Sequence, residues 1–182
     1  MNETTSMPPE TSPGPQDEQV TSVTPGRKPA AWRVRAAVEQ DIPAVAEAVA
    51  ELLVELGGKP HAPAAMQAAT RALIDDRDAG AVLVAELDGE LVGVLAASWQ
   101  TAIHIPGRYA SIQDLWVHPA WRSREIGGEL VRALCELASE RQITRVEVGL
   151  PRESFAGLSA TEAFYLSNGF ARLGPRMRRI AS

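Results

Sequence analysis

Leu115-Trp116-Val117-His118-Pro119-Ala120-Trp121-Arg122-Ser123-Arg124-Glu125-Ile126-Gly127-Gly128-Glu129-Leu130 carries the chain out of a strand, through a short basic loop and into a helix. The strand is the apolar-rich run Tyr109 to Val117, stopped by His118-Pro119, and the helix is the stripe Ile126, Leu130, Leu134 and Leu137. The first N–H groups of a helix have no intrahelical acceptor, and the helix dipole adds partial positive charge at the same end. Such a junction is an anion site, and a phosphate or pyrophosphate is its natural guest. Arg122 and Arg124 raise its positive potential, and Gly127 and Gly128 admit close approach of a ligand to the backbone. The loop contains neither G-x-x-x-x-G-K-[ST] nor G-x-G-x-x-G, so the phosphate grips of P-loop and dinucleotide-binding proteins are both excluded.

Working outward, Thr144 to Leu150 reads as a strand directly after the helix, which makes a parallel crossover unit. Ser159 and Glu162 then form an S-x-x-E capping box for another helix, Asn168-Gly169 terminates it, and Phe170 to Ile180 supplies closing strand material. On the other side, Ala81 to Leu87 and Leu91 to Ala97 are two strands joined by Asp88-Gly89, a tight-hairpin dipeptide, and residues 100–108 read as a loop. Asp41 as N-cap and Pro43 in the first turn open an amphipathic helix that Gly57-Gly58 stops, and a shorter helix runs from about Ala64 to Asp75. Trp32, Val34 and Ala36 alternate with Arg33 and Arg35 as a first strand. Residues 1–30 hold six prolines among Ser, Thr and acidic residues, too little apolar surface to offset ordering entropy, so they read as a disordered tail before a domain at 31–182.

With 182 residues, 45% of them apolar, the chain supports one full core rather than two. Eighteen basic against 23 acidic residues give a net charge of −5, which disfavours a nucleic-acid partner; the Arg176-Met177-Arg178-Arg179 cluster reads as a solvated strand face. Cys135 is the one cysteine and reads as a small buried hydrophobe, and the three scattered histidines make no zinc pattern. No apolar run reaches the roughly 20 residues needed to cross a membrane, and no signal peptide opens the chain, so a cytoplasmic location and no membrane partner are expected.

Val117, Pro119, Arg122, Ile126 and Gly127 resemble motif A of the GNAT acetyltransferase superfamily, V-x-P-x-x-R-G-x-G-I-G. Phe164-Tyr165-x-x-x-Gly169-Phe170 resembles that family's closing motif, and the order of elements from residue 32 to 180 is that of its fold. The resemblance implies an α/β fold whose central, mixed but mostly antiparallel sheet has six to seven strands, is splayed between the fourth and fifth, and is flanked by about four helices. It implies acetyl-CoA as cosubstrate and no metal. The pantetheine arm would lie along Leu115, Trp116 and Val117, and the pyrophosphate on the backbone of Arg122, Ser123, Arg124, Glu125, Ile126, Gly127 and Gly128. Tyr165 would protonate the departing thiolate as general acid. A primary amine arrives protonated at neutral pH, so a base is needed. Asp114 is the first candidate, because Gln113-Asp114 resembles the acidic pair of diamine acetyltransferases, and Glu147 is the alternative.

The acceptor implied is an amine of a small molecule or a protein, with loops 57–64, 100–108 and 151–158 shaping its pocket, and a homodimer is compatible with the family. Two positions depart from the pattern. Ser159 stands where the family has asparagine, and Glu125 stands where it has glycine, placing a negative charge beside the expected pyrophosphate. The alternative function is therefore a catalytically silent member of the fold that binds acyl-CoA or regulates.

Overall fold

Asp88 and Gly89 take φ of 50° and 87°, the left-handed angles with which a two-residue turn matches the twist of the strands it joins. They close the hairpin of β2 (Gly80–Leu87) and β3 (Glu90–Ala102) in a computed structural model that describes residues 1, 32–174, 177 and 179. β1 (Arg33–Ala36) pairs antiparallel with β2, β4 (Ile105–Val117) antiparallel with β3, and β5 (Val146–Val148) parallel with β4. Strand order across the sheet follows the chain, β1-β2-β3-β4-β5.

Four helices cover the two faces: α1 (Ile42–Glu55), α2 (Pro63–Asp75), α3 (Ile126–Glu140) and α4 (Leu158–Ser167). Val45 and Ala48 of α1 pack with Val82, Val84, Val94, Ala96 and Trp116, flanked by Leu73 and Ile74 of α2. On the other face Ile126, Leu130 and Leu134 of α3 and Tyr165 of α4 pack with Leu83, Ala85, Leu95 and Ile112. Gly93 allows α3 to sit that close, since a Cβ there would lie 2.9 Å from Ile126 and 3.0 Å from Leu130.

The sheet has five strands among the described residues, not six to seven. Residues 170–174, read as the start of a closing strand, form none. The reason is local: Gly169, at φ 85°, donates to Leu166 C=O at 3.1 Å and Phe170 N–H to Tyr165 C=O at 3.1 Å, a Schellman cap that turns the chain back on α4. The remaining strand material and most of the Arg176–Arg179 cluster lie outside the described residues, as do residues 2–31. The strand read as 144–150 shortens to three residues, Val146–Val148, the length over which β4 pairs with it before the bulge at Gln113. Residues 100–108, read as a loop, instead lengthen β3 and β4, with Gln100 opposite Tyr109, Thr101 opposite Arg108 and a tip at Ile103-His104.

Two caps also differ from expectation. Asp41 precedes α1 without capping it; its carboxylate accepts Val38 N–H at 2.8 Å and so closes the 3-10 turn Glu39–Asp41. Ser159 sits inside the first turn of α4, where it makes no cap, and Glu162 pairs with Arg172 at 2.6 Å instead of turning back on the helix end. Asp41 also accepts Arg35 Nη1 and Nη2 at 2.6 and 3.0 Å, and Arg35 Nε reaches Glu86 at 2.7 Å. The Arg35 guanidinium holds the Asp41 carboxyl below the usual carboxylate range. Asp41→Ala is expected to lower stability by about 2 kcal/mol, because it strands Val38 N–H and a half-buried guanidinium. A depressed carboxyl stabilises the fold above its ordinary value and loses that contribution as pH falls through the depressed one. Urea midpoints of native protein and variant, well apart at pH 7, therefore converge in acid.

Candidate active site

β4 and β5 are paired for three residues only, Ala110–Ile112 against Val146–Val148. The next residue of β4, Gln113, is a bulge: Ile112 faces Ala97 of β3 and Asp114 faces the very next residue, Ala96. A bulge bends its strand and sharpens the local twist, so the partner on the far side is left behind. From there to Val117 no strand among the described residues pairs with the outer edge of β4. Leu115, Trp116 and Val117 lie in that part of β4. Leu115 and Val117 turn toward the α3–α4 layer, and buried Trp116 turns toward α1.

The chain leaves β4 through the 3-10 turn Pro119–Trp121, whose Ala120 N–H is accepted by His118 Nδ1 at 3.3 Å, and enters α3 at Ile126. The first helical bond is Glu129 N–H to Glu125 C=O at 2.9 Å, so the N–H groups of Ile126, Gly127 and Gly128 precede the ladder. The Glu125 side chain makes no cap hydrogen bond. Ser123 and Glu125 lie at φ 60° and 67°, where a side chain costs about 1–2 kcal/mol that glycine avoids. Arg124 stacks over the Trp121 ring, 4.6 Å from its centre.

Two expectations for this loop are corrected. Arg122 does not lend its charge to the helix end, because Nη1 and Nη2 bind Glu55 of α1 at 2.9 and 2.6 Å and Nε donates to Val117 C=O at 3.0 Å. The glycines of α3 are not open to a ligand on their Cα side: a Cβ on Gly127 would lie 3.2 Å from the Phe164 ring, and one on Gly128 would lie 3.1 Å from Asn168 Oδ1. They admit α4, which carries Tyr165, against α3.

Tyr165 is buried with its ring edge-on to Phe164 and Phe170, at centroid distances of 5.1 and 5.2 Å. Burial pushes its hydroxyl up to about 12. Tyr165 and Glu147 both line a cavity of about 1,270 Å³ between β5, α4 and residues 170–174. Glu147 also lies 3.7 Å from Arg145 Nη1. Asp114 is not with them. It stands opposite Ala96 and two residues before Trp116, so it belongs to the α1 face of the sheet. Burial alone raises its carboxyl above the ordinary range, and no hydrogen bond or ion pair reaches it among the described residues. Cys135, expected inside, is exposed on α3. Two contacts of this region were not legible in the sequence, Arg122 with Glu55 and Arg152 Nη2 with the Leu56 carbonyl at 2.6 Å, because each joins residues far apart in the chain.

A splayed β4 edge beside an uncapped helix start can now be set against known proteins. The acetyltransferase (GNAT) family model matches residues 46–170. The chain belongs to the GNAT family. It is 33% identical over 98 residues to an uncharacterised N-acetyltransferase of Archaeoglobus fulgidus, a match covering 53% of this chain and 63% of that protein. The chain thus spans somewhat under two thirds of the curated relative it matches. Among solved structures, a possible acetyltransferase from Clostridium difficile 630 superposes with TM-score 0.71 at 17% identity, over 83% of this chain and 97% of that one. A predicted acetyltransferase from Clostridium acetobutylicum, solved with acetyl-CoA, superposes with TM-score 0.68 at 16% identity, over 82% and 96%. Among the described residues of this GNAT chain, no helix is long and apolar enough to cross a membrane, and no three His, Cys, Asp or Glu side chains are grouped to hold a metal ion.

A raised carboxyl means the folded state prefers the protonated form, so ionised Asp114 destabilises the fold at neutral pH. Asp114→Asn should raise stability at pH 7 by on the order of 1 kcal/mol. The gain should shrink as pH falls into the ordinary carboxyl range, where Asp114 is protonated in both states. Thermal unfolding at pH 7 and pH 4 measures both.

Proposed function

We propose that the chain is an N-acetyltransferase that moves the acetyl group of acetyl-CoA to a primary amine of a small molecule or protein. The observation that carries this reading is the open outer edge of β4 lying beside the uncapped start of α3. An extended amide-containing arm fits the first, because on the outer side of β4 no strand takes up the Leu115 backbone or the Val117 N–H, the Val117 carbonyl being held by Arg122, and a pyrophosphate fits the second through the N–H groups of Ile126 to Gly128. Bound there, acetyl-CoA supplies an activated thioester carbon.

The chain's own residues then divide the proton work. Tyr165 keeps its proton at neutral pH, because burial disfavours its anion, and gives it to the sulfur as the C–S bond breaks. Asp114 takes the proton that the amine must lose; the burial that raises its carboxyl makes it a stronger base than an exposed aspartate. Glu147, beside Tyr165 in the larger cavity, is the alternative base. The acceptor approaches from the α1 face, the side of the sheet on which Asp114 stands. A cleft of about 440 Å³ on that face, between α1 and the end of β4, is lined by Trp116 and by Glu47 and Glu51, with Glu55 turned to Arg122, and the two carboxylates attract an ammonium group.

A second reading, a silent binding or regulatory protein, is favoured by one feature: Ser123 and Glu125 hold left-handed backbone with side chains at the mouth of the anion site. Calorimetric titration with acetyl-CoA separates the two. Micromolar binding by the native protein, about −8 kcal/mol, supports the transferase. No heat from the native protein, with binding gained in Glu125→Gly, supports the silent reading. If the transferase reading holds, Tyr165→Phe should slow turnover on the order of 10²-fold and leave donor affinity unchanged. Equal turnover by Tyr165→Phe removes Tyr165 from the acid role.

A further inference from the structure

Two arginines, one beyond each of the diverging strands, reach the same helix end. Arg122, past β4, binds Glu55 through both terminal nitrogens at 2.9 and 2.6 Å. Arg152, past β5, donates Nη2 to the Leu56 carbonyl at 2.6 Å. That carbonyl lies just outside α1, whose end is closed by Gly57 N–H to Val54 C=O at 2.9 Å and Gly58 N–H to Leu53 C=O at 2.8 Å. A cation is favourable there because the helix dipole ends negative. Gly57 serves twice: it turns at φ 73°, and a Cβ on it would lie 2.7 Å from Arg152 Nη2.

β4 and β5 part beyond Ile112 and Val148. A helix end tied to the chain beyond both strands therefore lies across the gap between them, on the face opposite α3 and α4. We propose that these two ties form a clasp over the acceptor entrance, and that Arg152 is a positioning residue that sets the size of amine admitted; the inference rests on the transferase reading above. The two sides of the clasp are unequal. Arg122 is held by three hydrogen bonds, two to Glu55 and one to Val117 C=O, and is the fixed side. Arg152 is exposed and holds Leu56 by one, so it is the side that releases.

The test compares the native full-length chain with Arg152→Ala, Arg152→Lys and Gly57→Ala. The first reading is amide hydrogen exchange of residues 56–62, which needs no substrate. Exchange should quicken in Arg152→Ala and be restored by Arg152→Lys, which keeps a donor; Gly57→Ala, which strains the turn as well as displacing the guanidinium, should quicken it at least as much. Unchanged exchange in Arg152→Ala overturns the clasp. The second reading is turnover of ethanolamine against a bulky aminoglycoside at saturating acetyl-CoA. Opening the entrance should raise kcat/KM for the bulky amine relative to the small one by about tenfold, the scale on which modest changes of pocket space act. KM for acetyl-CoA should not move. Quickened exchange with unchanged relative kcat/KM overturns the selectivity role. Turnover of neither amine by native protein or variants counts against the transferase reading and takes the selectivity role with it.

Discussion

Strand β4 has a partner on both sides for only three residues, and the rest of the site follows from that limit. A parallel pair needs matched, evenly twisted strands, and the bulge at Gln113 ends the match at Ile112. Past the bulge, β4 remains anchored to β3 as far as Val117, so it stays rigid while its outer edge is open. A free edge is ordinarily a liability that proteins cover. Here its last carbonyl is taken by Arg122, a residue of the loop that starts α3, and Arg122 in turn is fixed by Glu55. One guanidinium thus joins the open strand, the turn that leads into α3 and the helix on the opposite face.

The turn that leads into α3 is held in a conformation its sequence does not favour. Ser123 and Glu125 together spend about 2–4 kcal/mol on left-handed backbone. Replacing them with glycine would return only part of this in stability, since glycine also widens the unfolded ensemble by roughly 0.4–1 kcal/mol at each site. The turn persists because it is pinned at several points: Arg122 to Glu55 and Val117, Arg124 over Trp121, and Ile126 under the sheet with 1% exposure. The Ser123 and Glu125 side chains are therefore a matter of what the surface of the loop presents more than of whether the loop forms.

The features legible in the sequence are those set by neighbours in the chain. Asp88-Gly89 determines its hairpin through its own φ angles, and Val117-His118-Pro119 ends its strand through a ring that cannot extend a ladder. The misreadings share another cause. Ser159 and Glu162 have the spacing of a capping box, but Arg172 offers Glu162 a stronger partner. Pro106 and Gly107 look like loop residues, yet Tyr109 hydroxyl to Gln100 Oε1 at 2.6 Å and the paired backbone carry the hairpin past them. Gly127 looks like room for a ligand and is room for Phe164. In each case a tertiary contact overrode a local pattern, and Glu55 with Arg122, 67 residues apart, has no local pattern to read.

The division of the candidate residues between the two faces of the sheet gives the site its direction. Tyr165 is packed among the α3–α4 core, while Asp114 lies two residues before Trp116 on the α1 face. The two groups are kept apart by a strand, so neither perturbs the other directly. Desolvation moves both upward, but the consequences differ by charge type: the phenol stays neutral and retains a proton, and the carboxyl gains affinity for one. Placed on one face, each would alter the other's surroundings. Placed across an open edge, they meet only through whatever bridges it, which under the proposed transfer is an amine on the α1 face reaching an acyl group along Leu115 to Val117.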